Sequence, residues 1–260
     1  MVIQIKIANL YSSYNKNNID KIKEEIFTKL SKINIIVQVG EYGPEKHIHK
    51  KSTAMRMLTQ QYAQQHNIPR IIIDVGFIRC NKKKYLSIGV DNFKRYAKFY
   101  NKNSSPDRWN SFNLKIQPWR KDGNRILILG QRFCGYTLRI DKINIHKWYN
   151  NVFEQLSTIT NKSLYFKHHP SKERGKFESK QYKFIDSKLS LLECLKDVWC
   201  VVAYATNATI ESVINGVPAI TLSKRNMVYD LAGHSLKDIN NLPILDRTQW
   251  CNDLGYTQWS

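Results

Sequence analysis

The sequence predicts an α/β protein with two halves, each built from strands that alternate with helices. Short apolar runs separated by helical patterns recur along most of the 260 residues, as in α/β domains. In the clearest case, Trp199–Ser223, an apolar run, a polar turn, a helical pattern and a second apolar run follow one another. That order predicts a parallel βαβ unit, because a helix between two strands returns the chain to start a neighbouring parallel strand. Residues 101–122 contain few apolar runs, which indicates a boundary between the halves.

The first half starts with a run that alternates like a strand, followed by helical and apolar segments in turn. The helical pattern over Asn18–Ser31 has its apolar residues on one face. A second pattern, Ser52–His66, can begin with Ser52 as its N-cap. The strands predicted for this half are Val2–Ala8, Ile33–Val39, Arg70–Ile78 and Tyr85–Val90.

In the second half, apolar runs end in glycine or polar residues, as expected of buried strands. The strands predicted there are Arg125–Leu129, Ser163–Lys167, Trp199–Ala205 and the run that ends at Ser223. The predicted helices are Ile145–Thr158, Leu189–Lys196 and Ile210–Asn215, and Asp246–Trp259 is an aromatic segment compatible with a helix. We predict domains over 1–117 and 118–234, with a tail over 235–260 that packs back towards the first domain.

The chain is strongly basic, with 41 Lys and Arg residues against 21 Asp and Glu residues and a formal net charge of +20. Such a charge favours a polyanionic partner such as nucleic acid, since cations that meet phosphates release counterions. The alternative is a lysine-rich coding bias, which the many Asn and Ile residues also indicate.

Several classes of protein are disfavoured by what the sequence lacks. No apolar run reaches the roughly 18 residues of a membrane span, and the N-terminus lacks the pattern of a signal peptide. We therefore expect a cytoplasmic protein, a monomer that does not bind membranes. The five cysteines include no C-x-x-C pair, and dinucleotide, Walker A, serine-hydrolase and zinc-protease motifs are absent.

Three predicted strand ends in the second half carry glycine, cationic or amide groups. They are expected to share one edge of a parallel sheet, where ligands of α/β proteins bind. Close backbone approach at glycine, cations and helix N–H groups together suit a diphosphate. The alternative is that these loops merely turn the chain. The candidate donor-binding residues are those that would bind the diphosphate of a donor substrate. They are Gly130, Gln131, Arg132, Lys167, His169, Thr206, Asn207, Ala208, Thr209 and Glu211.

Two of these candidates carry alternatives of their own. Adjacent His168 and His169 point in opposite directions on an extended segment, so one of them can face the site. The carboxylate of Glu211 can accept two ribose hydroxyls, although acids are also common in a first helical turn. No D-x-D motif and no His or Cys ligand spacing is present, so we expect neither a metal nor a cofactor besides the donor.

The order of several motifs resembles a bacteriophage-encoded glycosyltransferase family with the GT-B architecture, two Rossmann-like halves with a cleft between them. The motifs are Ser105–Trp109, Pro118–Gly123, Ile128–Gln131, His169–Pro170 and the Asp246–Trp259 tail. The chain is also distantly similar to capsule-polysaccharide transferases. The resemblance implies transfer of a sugar from a nucleotide diphosphate, UDP in particular, to a hydroxymethylated pyrimidine such as hydroxymethylcytosine in phage DNA. It thus implies double-stranded DNA as a partner.

The first half is expected to supply the catalytic base and the acceptor surface. Asp91 and Glu41 each follow a predicted strand and are the candidate bases, or they cap turns. Tyr96, Phe99 and Tyr100 lie among cations that can hold a phosphate backbone, or the segment is a solvated lysine surface over core aromatics. The candidate DNA-binding residues are Lys82, Lys83, Lys84, Lys94, Arg95 and Lys98. Other hypotheses are a transferase for a surface polysaccharide or lipid-linked glycan, and a non-catalytic nucleic-acid binder.

Overall fold

The structure is a computed structural model that describes residues 35–39, 58–80, 84–133, 135–170, 177–186 and 188–260. It divides into two compact units. The first contains the described residues up to Asn101 together with Tyr256–Ser260, and the second is Lys102–Gly255. This division falls in the 101–122 segment where the sequence indicates a boundary, while the limits 1–117, 118–234 and 235–260 remain predictions.

The first unit contains a four-stranded mixed sheet in the order β1-β2-β3-β9. Its strands are β1 (Ile36–Val39), β2 (Arg70–Val75), β3 (Leu86–Val90) and β9 (Gln258–Trp259). β1 and β2 are parallel, and a helix over residues 58–65, α1, lies between them in the sequence. β3 is antiparallel to both of its neighbours, β2 and β9. The predicted elements Val2–Ala8 and Asn18–Ser31 lie outside the described residues.

Gln258 anchors β9 to this sheet. Its side chain is fully buried, and its Oε1 accepts hydrogen bonds from the backbone N–H groups of Phe77 and Ile78 at 2.7 and 2.8 Å. These bonds satisfy two backbone donors that follow β2, which would be costly to leave unpaired inside the protein. The last strand of the first unit is thus held by side-chain as well as ladder hydrogen bonds.

The second unit contains a five-stranded sheet in the order β6-β5-β4-β7-β8, and all of its pairings are parallel. Its strands are β4 (Arg125–Leu129), β5 (Ser163–Lys167), β6 (Lys183–Phe184), β7 (Val198–Ala203) and β8 (Ala219–Thr221). Its helices are α2 (Asp107–Ser111), α3 (Tyr136–Ile140), α4 (Ile145–Ile159), α5 (Leu191–Cys194), α6 (Ala208–Ile214) and α7 (Thr248–Gly255). The predicted α/β class is confirmed.

The core of the second unit forms between α4 and one face of its sheet. Asn144 caps the helix by accepting a hydrogen bond from the backbone N–H of Lys147 at 3.1 Å. The apolar face of α4 buries Tyr149, Val152, Phe153 and Leu156 in one cluster with Ile126, Ile128 and Phe166 of the sheet. None of the helices in the described part of the chain is long and apolar enough to cross a membrane; α4, with 15 residues, is the longest of them.

Two arginines, Arg120 and Arg247, bind backbone carbonyls, and each of them binds one carbonyl at the end of a helix. Arg120 donates to the carbonyls of Leu195 and Val198, at 2.5 and 3.0 Å. Arg247 is 4% exposed and donates to the carbonyls of Val213, at 2.6 Å, and Gln117. Carbonyls at helix ends lack partners within the helix, so cations stabilise them. Arg120 and Arg247 therefore have structural roles in this unit.

Candidate functional site

The candidate site lies at the carboxyl edge of the parallel sheet in the second unit. β4 is the central strand, with β5 and β7 paired to it on either side in the same direction. Their last residues, Leu129, Lys167 and Ala203, are therefore at one edge, and the segments that follow them carry the predicted donor-binding residues. The structure thus brings together the three strand ends that the sequence singled out.

Gly130 allows the ends of β4 and β5 to approach closely. Its N–H donates to the carbonyl of Lys167 at 2.8 Å. A Cβ at this position would lie 2.8 Å from that same oxygen and 2.9 Å from the backbone nitrogen of His169. Any larger residue would have to displace backbone, so glycine is required for the contact between these two segments.

Gln131 joins the ends of β4 and β7. Its backbone N–H donates to the hydroxyl of Tyr149 at 2.7 Å, and its side-chain Oε1 accepts from the backbone N–H of Ala205 at 2.9 Å. Burial raises the pKa of the Tyr149 hydroxyl, which therefore stays protonated in this network. Gln131 fixes the two strand ends relative to each other.

The Lys167–Pro170 segment separates its two histidines. The ring of His168 stacks on Phe184 at 5.2 Å, with an interplanar angle of 11°, and meets the edge of Phe166 at 5.1 Å. His168 is thus held against aromatic side chains, while His169 follows at the close approach to Gly130. Lys167 extends its Nζ to the carbonyl of Leu189 at 2.7 Å, which orients its ammonium group.

The turn after β7 is held together by its own hydroxyl groups. Thr209 is fully buried, and its hydroxyl lies 2.8 Å from the carbonyl of Thr206 and 2.9 Å from Oδ1 of Asn226. The hydroxyl of Thr209 is therefore engaged inside the protein, which favours a structural role for this side chain, and its assignment to the donor site stays a prediction. Asn207 makes no side-chain capping bond to α6, and Ala208 is the first residue of that seven-residue helix.

Glu211 is exposed, whereas Arg132 is half-buried. Glu211 lies in the first turn of α6 with an exposed side chain. Arg132 is half-buried, and its carbonyl accepts from the N–H of Gly135 at 3.1 Å in the turn that precedes α3. Glu211 thus lies in the helix that follows β7, and Arg132 in the loop that follows β4.

Sequence reasoning missed a polar network beside this edge. The hydroxyl of Tyr204 donates to Oδ2 of Asp141 at 2.8 Å, and Nε of Arg225 donates to Oδ1 of the same carboxylate at 2.9 Å. Burial, together with the bond to Asp141, raises the pKa of the Tyr204 hydroxyl, so it remains a donor. No local sequence pattern predicts this network, because its three residues come from segments that are far apart in the sequence.

Asp91 lies at the edge of the first unit's sheet where β2 begins. β3 runs antiparallel to β2 and pairs Val90 with Ile71, so the residue after it lies beside Arg70. β1 runs parallel to β2 and pairs Val39 with Ile73, so β1 ends at the opposite edge. The strand ends that precede Asp91 and Glu41 are therefore at opposite edges, and Glu41 itself lies outside the described residues.

The contacts of Asp91 are those of a carboxylate that stabilises a turn. Its Oδ2 lies 2.8 Å from Nζ of Lys98, and its Oδ1 accepts from the N–H of Arg70 at 3.2 Å. The hydrogen bond from Lys98 is the main reason that the pKa of Asp91 is lowered. A lowered pKa opposes proton abstraction, so these contacts favour the turn-capping alternative. The catalytic assignment of Asp91 stays a prediction.

The predicted DNA-binding lysines are only partly described. Lys82 and Lys83 lie outside the described residues, and Lys84 is exposed. Lys94 and Arg95 form a single 3-10 turn with Tyr96, and Lys98 pairs with Asp91. In the described ranges, no group of three or more His, Cys, Asp or Glu residues is arranged to hold a metal ion.

Comparison with solved structures identifies the architecture. The beta Kdo 2,4 transferase of KpsC from Thermosulfurimonas dismutans superposes with a TM-score of 0.51 at 11% identity, over 90% of this chain and 85% of that one. The beta Kdo 2,7 transferase of the same protein gives a TM-score of 0.43 at 12% identity, over 84% and 78% of the two chains. At 11% identity the likeness to the first of these structures concerns the fold alone, which is of the GT-B type. No curated protein matches the sequence significantly.

Comparison with protein families identifies the group. Residues 13–195, more than half of the chain, match the family described as Alpha-2,8-polysialyltransferase (POLYST). The match includes Gly130, Gln131 and His169 and ends before β7. It supports the similarity to capsule-polysaccharide transferases and favours the polysaccharide alternative, whereas phage origin and DNA modification gain no support. The chain is therefore a glycosyltransferase that belongs to the alpha-2,8-polysialyltransferase family.

Proposed function

We propose that the chain transfers sialic acid from its nucleotide-activated form to the end of an acidic surface polysaccharide. The observation that carries this proposal is the family match over residues 13–195. Polysialic acid bears a carboxylate on every sugar, and a net charge of +20 attracts such a polymer. The same charge that favours nucleic acid thus suits a carbohydrate polyanion equally well.

The donor is proposed to bind at the carboxyl edge of the parallel sheet. Arg132, Lys167 and His169 would neutralise the negative charge that develops on the leaving nucleotide. Gly130 and Gln131 position these groups by holding the ends of β4, β5 and β7 together. Because cationic side chains supply this stabilisation, we propose a reaction that needs no metal or cofactor.

Glu211 is proposed to accept hydrogen bonds from the ribose hydroxyls of the nucleotide. Its carboxylate is exposed in the first turn of α6, which follows β7. We expect Glu211→Ala to weaken donor binding about tenfold or more, the loss of a charge-assisted hydrogen bond. Glu154→Ala removes an exposed carboxylate on α4 and is the matched control. An unchanged donor affinity in Glu211→Ala would remove Glu211 from the site.

The decisive experiment is a transfer assay with the full chain. Nucleotide-activated sialic acid is offered with a labelled sialic acid oligomer, and the products are separated by chromatography. We expect the oligomer to lengthen, and UDP-activated N-acetylglucosamine to give no product. Duplex DNA that contains hydroxymethylcytosine is a parallel acceptor. Transfer to that DNA, with no lengthening of the oligomer, would reject the proposal and restore the DNA-modifying hypothesis.

A further inference from the structure

The first unit contains a cavity of about 450 Å³ between the end of α1 and the start of β2. This volume lies within the roughly 300–1,000 Å³ that small-molecule sites occupy. Its polar lining consists of Gln64, Asn67, Arg70, Asp91 and Lys98. Gln64, Asn67 and Lys98 are exposed residues, so the cavity is open to solvent.

The lining of this cavity is positively charged. Arg70 and Lys98 each carry one positive charge, and Asp91 is the only acid among the described residues that line the cavity. Both oxygens of Asp91 already have donors, Nζ of Lys98 at 2.8 Å and the backbone N–H of Arg70 at 3.2 Å. The negative charge of Asp91 is thus compensated by Lys98, and the described lining residues together carry a net charge of +1.

Arg70 is the fixed cation and Lys98 the adaptable one. Arg70 is 4% exposed and is held by bonds from its guanidinium to Oε1 of Gln38, at 3.3 Å, and to the carbonyl of Asp91. The Lys98 side chain is 61% exposed, and exposed ion pairs contribute little to stability. An incoming carboxylate can therefore share the ammonium of Lys98 at small cost.

The remaining groups suit a sugar. The amides of Gln64 and Asn67 can donate to and accept from hydroxyl groups. Two residues before and after Lys98, the side chains of Tyr96 and Tyr100 are 41% and 81% exposed. Aromatic rings offer apolar faces to the C–H face of a sugar ring, while their hydroxyls remain in water. The cavity lining thus offers cations and amides, and the two tyrosines lie beside Lys98 in the chain; this is the chemistry of an acidic saccharide site.

We propose that this cavity binds one carboxylated sugar of the acceptor polysaccharide, as a second carbohydrate site on the first unit. The identity of the polymer rests on the proposed function. The cavity adjoins the amino end of β2, whereas the donor residues follow the carboxyl ends of strands in the other sheet. It also gives a role to the basic, aromatic segment around Lys98, which the sequence had assigned to DNA.

The test measures binding of a sialic acid oligomer to the full chain by titration calorimetry without donor. We expect Lys98→Glu to weaken binding at least about fivefold and Lys98→Met about threefold, because a cation that faces the ligand is reversed or removed. Lys98→Met retains the apolar stem and guards against misfolding caused by a second acid beside Asp91. Lys115→Glu changes an exposed lysine that is not part of the cavity lining and should keep wild-type affinity.

The outcomes separate this inference from the proposed function. If the oligomer does not bind, or binds equally well to both Lys98 variants, the inference is rejected even when transfer is observed. Binding that depends on Lys98 but is not accompanied by any transfer would reject the function and keep the site. If duplex DNA binds in a Lys98-dependent manner and displaces the oligomer, the cavity belongs to a nucleic-acid surface and the inference is also rejected.

Discussion

The guanidinium of Arg247 stacks over the indole ring of Trp119, 3.7 Å from its centroid. Trp119 in turn donates from its Nε1 to the carbonyl of Leu245 at 2.8 Å. The segment that precedes β4 and the segment that precedes α7 are therefore joined by a cation–π contact and by hydrogen bonds in both directions. Trp119 and Arg247 belong to the Pro118–Gly123 and Asp246–Trp259 motifs, so the contact between them joins two of the motifs that resemble a glycosyltransferase family.

Replacing Arg247 with lysine should destabilise the protein. Lysine cannot reproduce the two bonds to the carbonyls of Val213 and Gln117 or the planar stacking on Trp119. We expect the free energy of unfolding to fall by about 2–4 kcal/mol, measured by urea denaturation. Trp119→Phe keeps an aromatic face and should cost about 1 kcal/mol. Equal stability of Arg247→Lys and wild type would contradict the role given to this guanidinium.

Gly130→Ala should impair donor binding. The added methyl group would lie 2.8 Å from the carbonyl oxygen of Lys167 and must push the ends of β4 and β5 apart. Displacement of positioned groups by about 1 Å can cost on the order of a hundredfold in rate, so we expect at least a tenfold loss of kcat/KM. Ser163→Ala, an exposed site at the other end of β5, serves as the control. An unimpaired Gly130→Ala enzyme would place the donor elsewhere.

Two substitutions of Gln131 should separate its structural role from its charge. Gln131→Glu keeps an oxygen that can accept from the N–H of Ala205, so stability should change little. Its new negative charge should weaken binding of an anionic donor about tenfold. Gln131→Ala removes the acceptor and should lower the free energy of unfolding by about 1–3 kcal/mol. The hypothesis fails if the glutamate variant is the less stable of the two but binds donor normally.

The pair of Asp91 and Lys98 should make stability depend on pH in the acid range. The pKa of Asp91 in the folded protein is lowered from 3.8, so its contribution is present above that value and is lost as the pH falls through the lowered pKa. Asp91→Asn keeps the oxygen that accepts from Arg70 but lacks the charge. We expect it to unfold more readily than wild type at pH 7, and the difference to shrink as the pH falls below 3.8 and to vanish below the lowered pKa of Asp91. Melting curves over this range measure the effect; a constant difference would contradict it.

The sequence predicted the second sheet more accurately than the first. Strands Arg125–Leu129 and Ser163–Lys167 were predicted with the bounds that the structure gives, because buried parallel strands form short apolar runs between turn residues. Helices Asp107–Ser111 and Tyr136–Ile140 and strand Lys183–Phe184 were missed, since a five-residue helix makes fewer than two turns and a two-residue strand shows no alternation. The direction of β3 could not be predicted from the sequence either, because side chains alternate between the two faces of a strand in the same way in parallel and antiparallel pairs.

The sequence predicted the location of the candidate site at one edge of the second sheet, but not the contacts between its residues. Parallel strands present their carboxyl ends together, and Gly130, Lys167 and Thr206 do lie at or just after such ends at one edge of the sheet, while their role in binding a donor stays a prediction. The same rule could not reveal that Thr209 is buried, which depends on Asn226 from the loop after β8. Contacts between distant segments, such as that of Asp141 with Tyr204, leave no trace in local sequence.

Because Gln258 and β9 lie at the end of the chain, the second unit can fold during synthesis before the sheet of the first unit is complete. A ribosome releases residues 102–255 before residues 256–260, yet the latter complete the sheet of the first unit. Domains made early usually fold while synthesis continues. Here the first unit emerges with the edge of β3 and the N–H groups of Phe77 and Ile78 without the partners that Gln258 later supplies. A nascent chain that stalls late would therefore carry a finished second unit beside an unfinished first one, a recognisable substrate for chaperones.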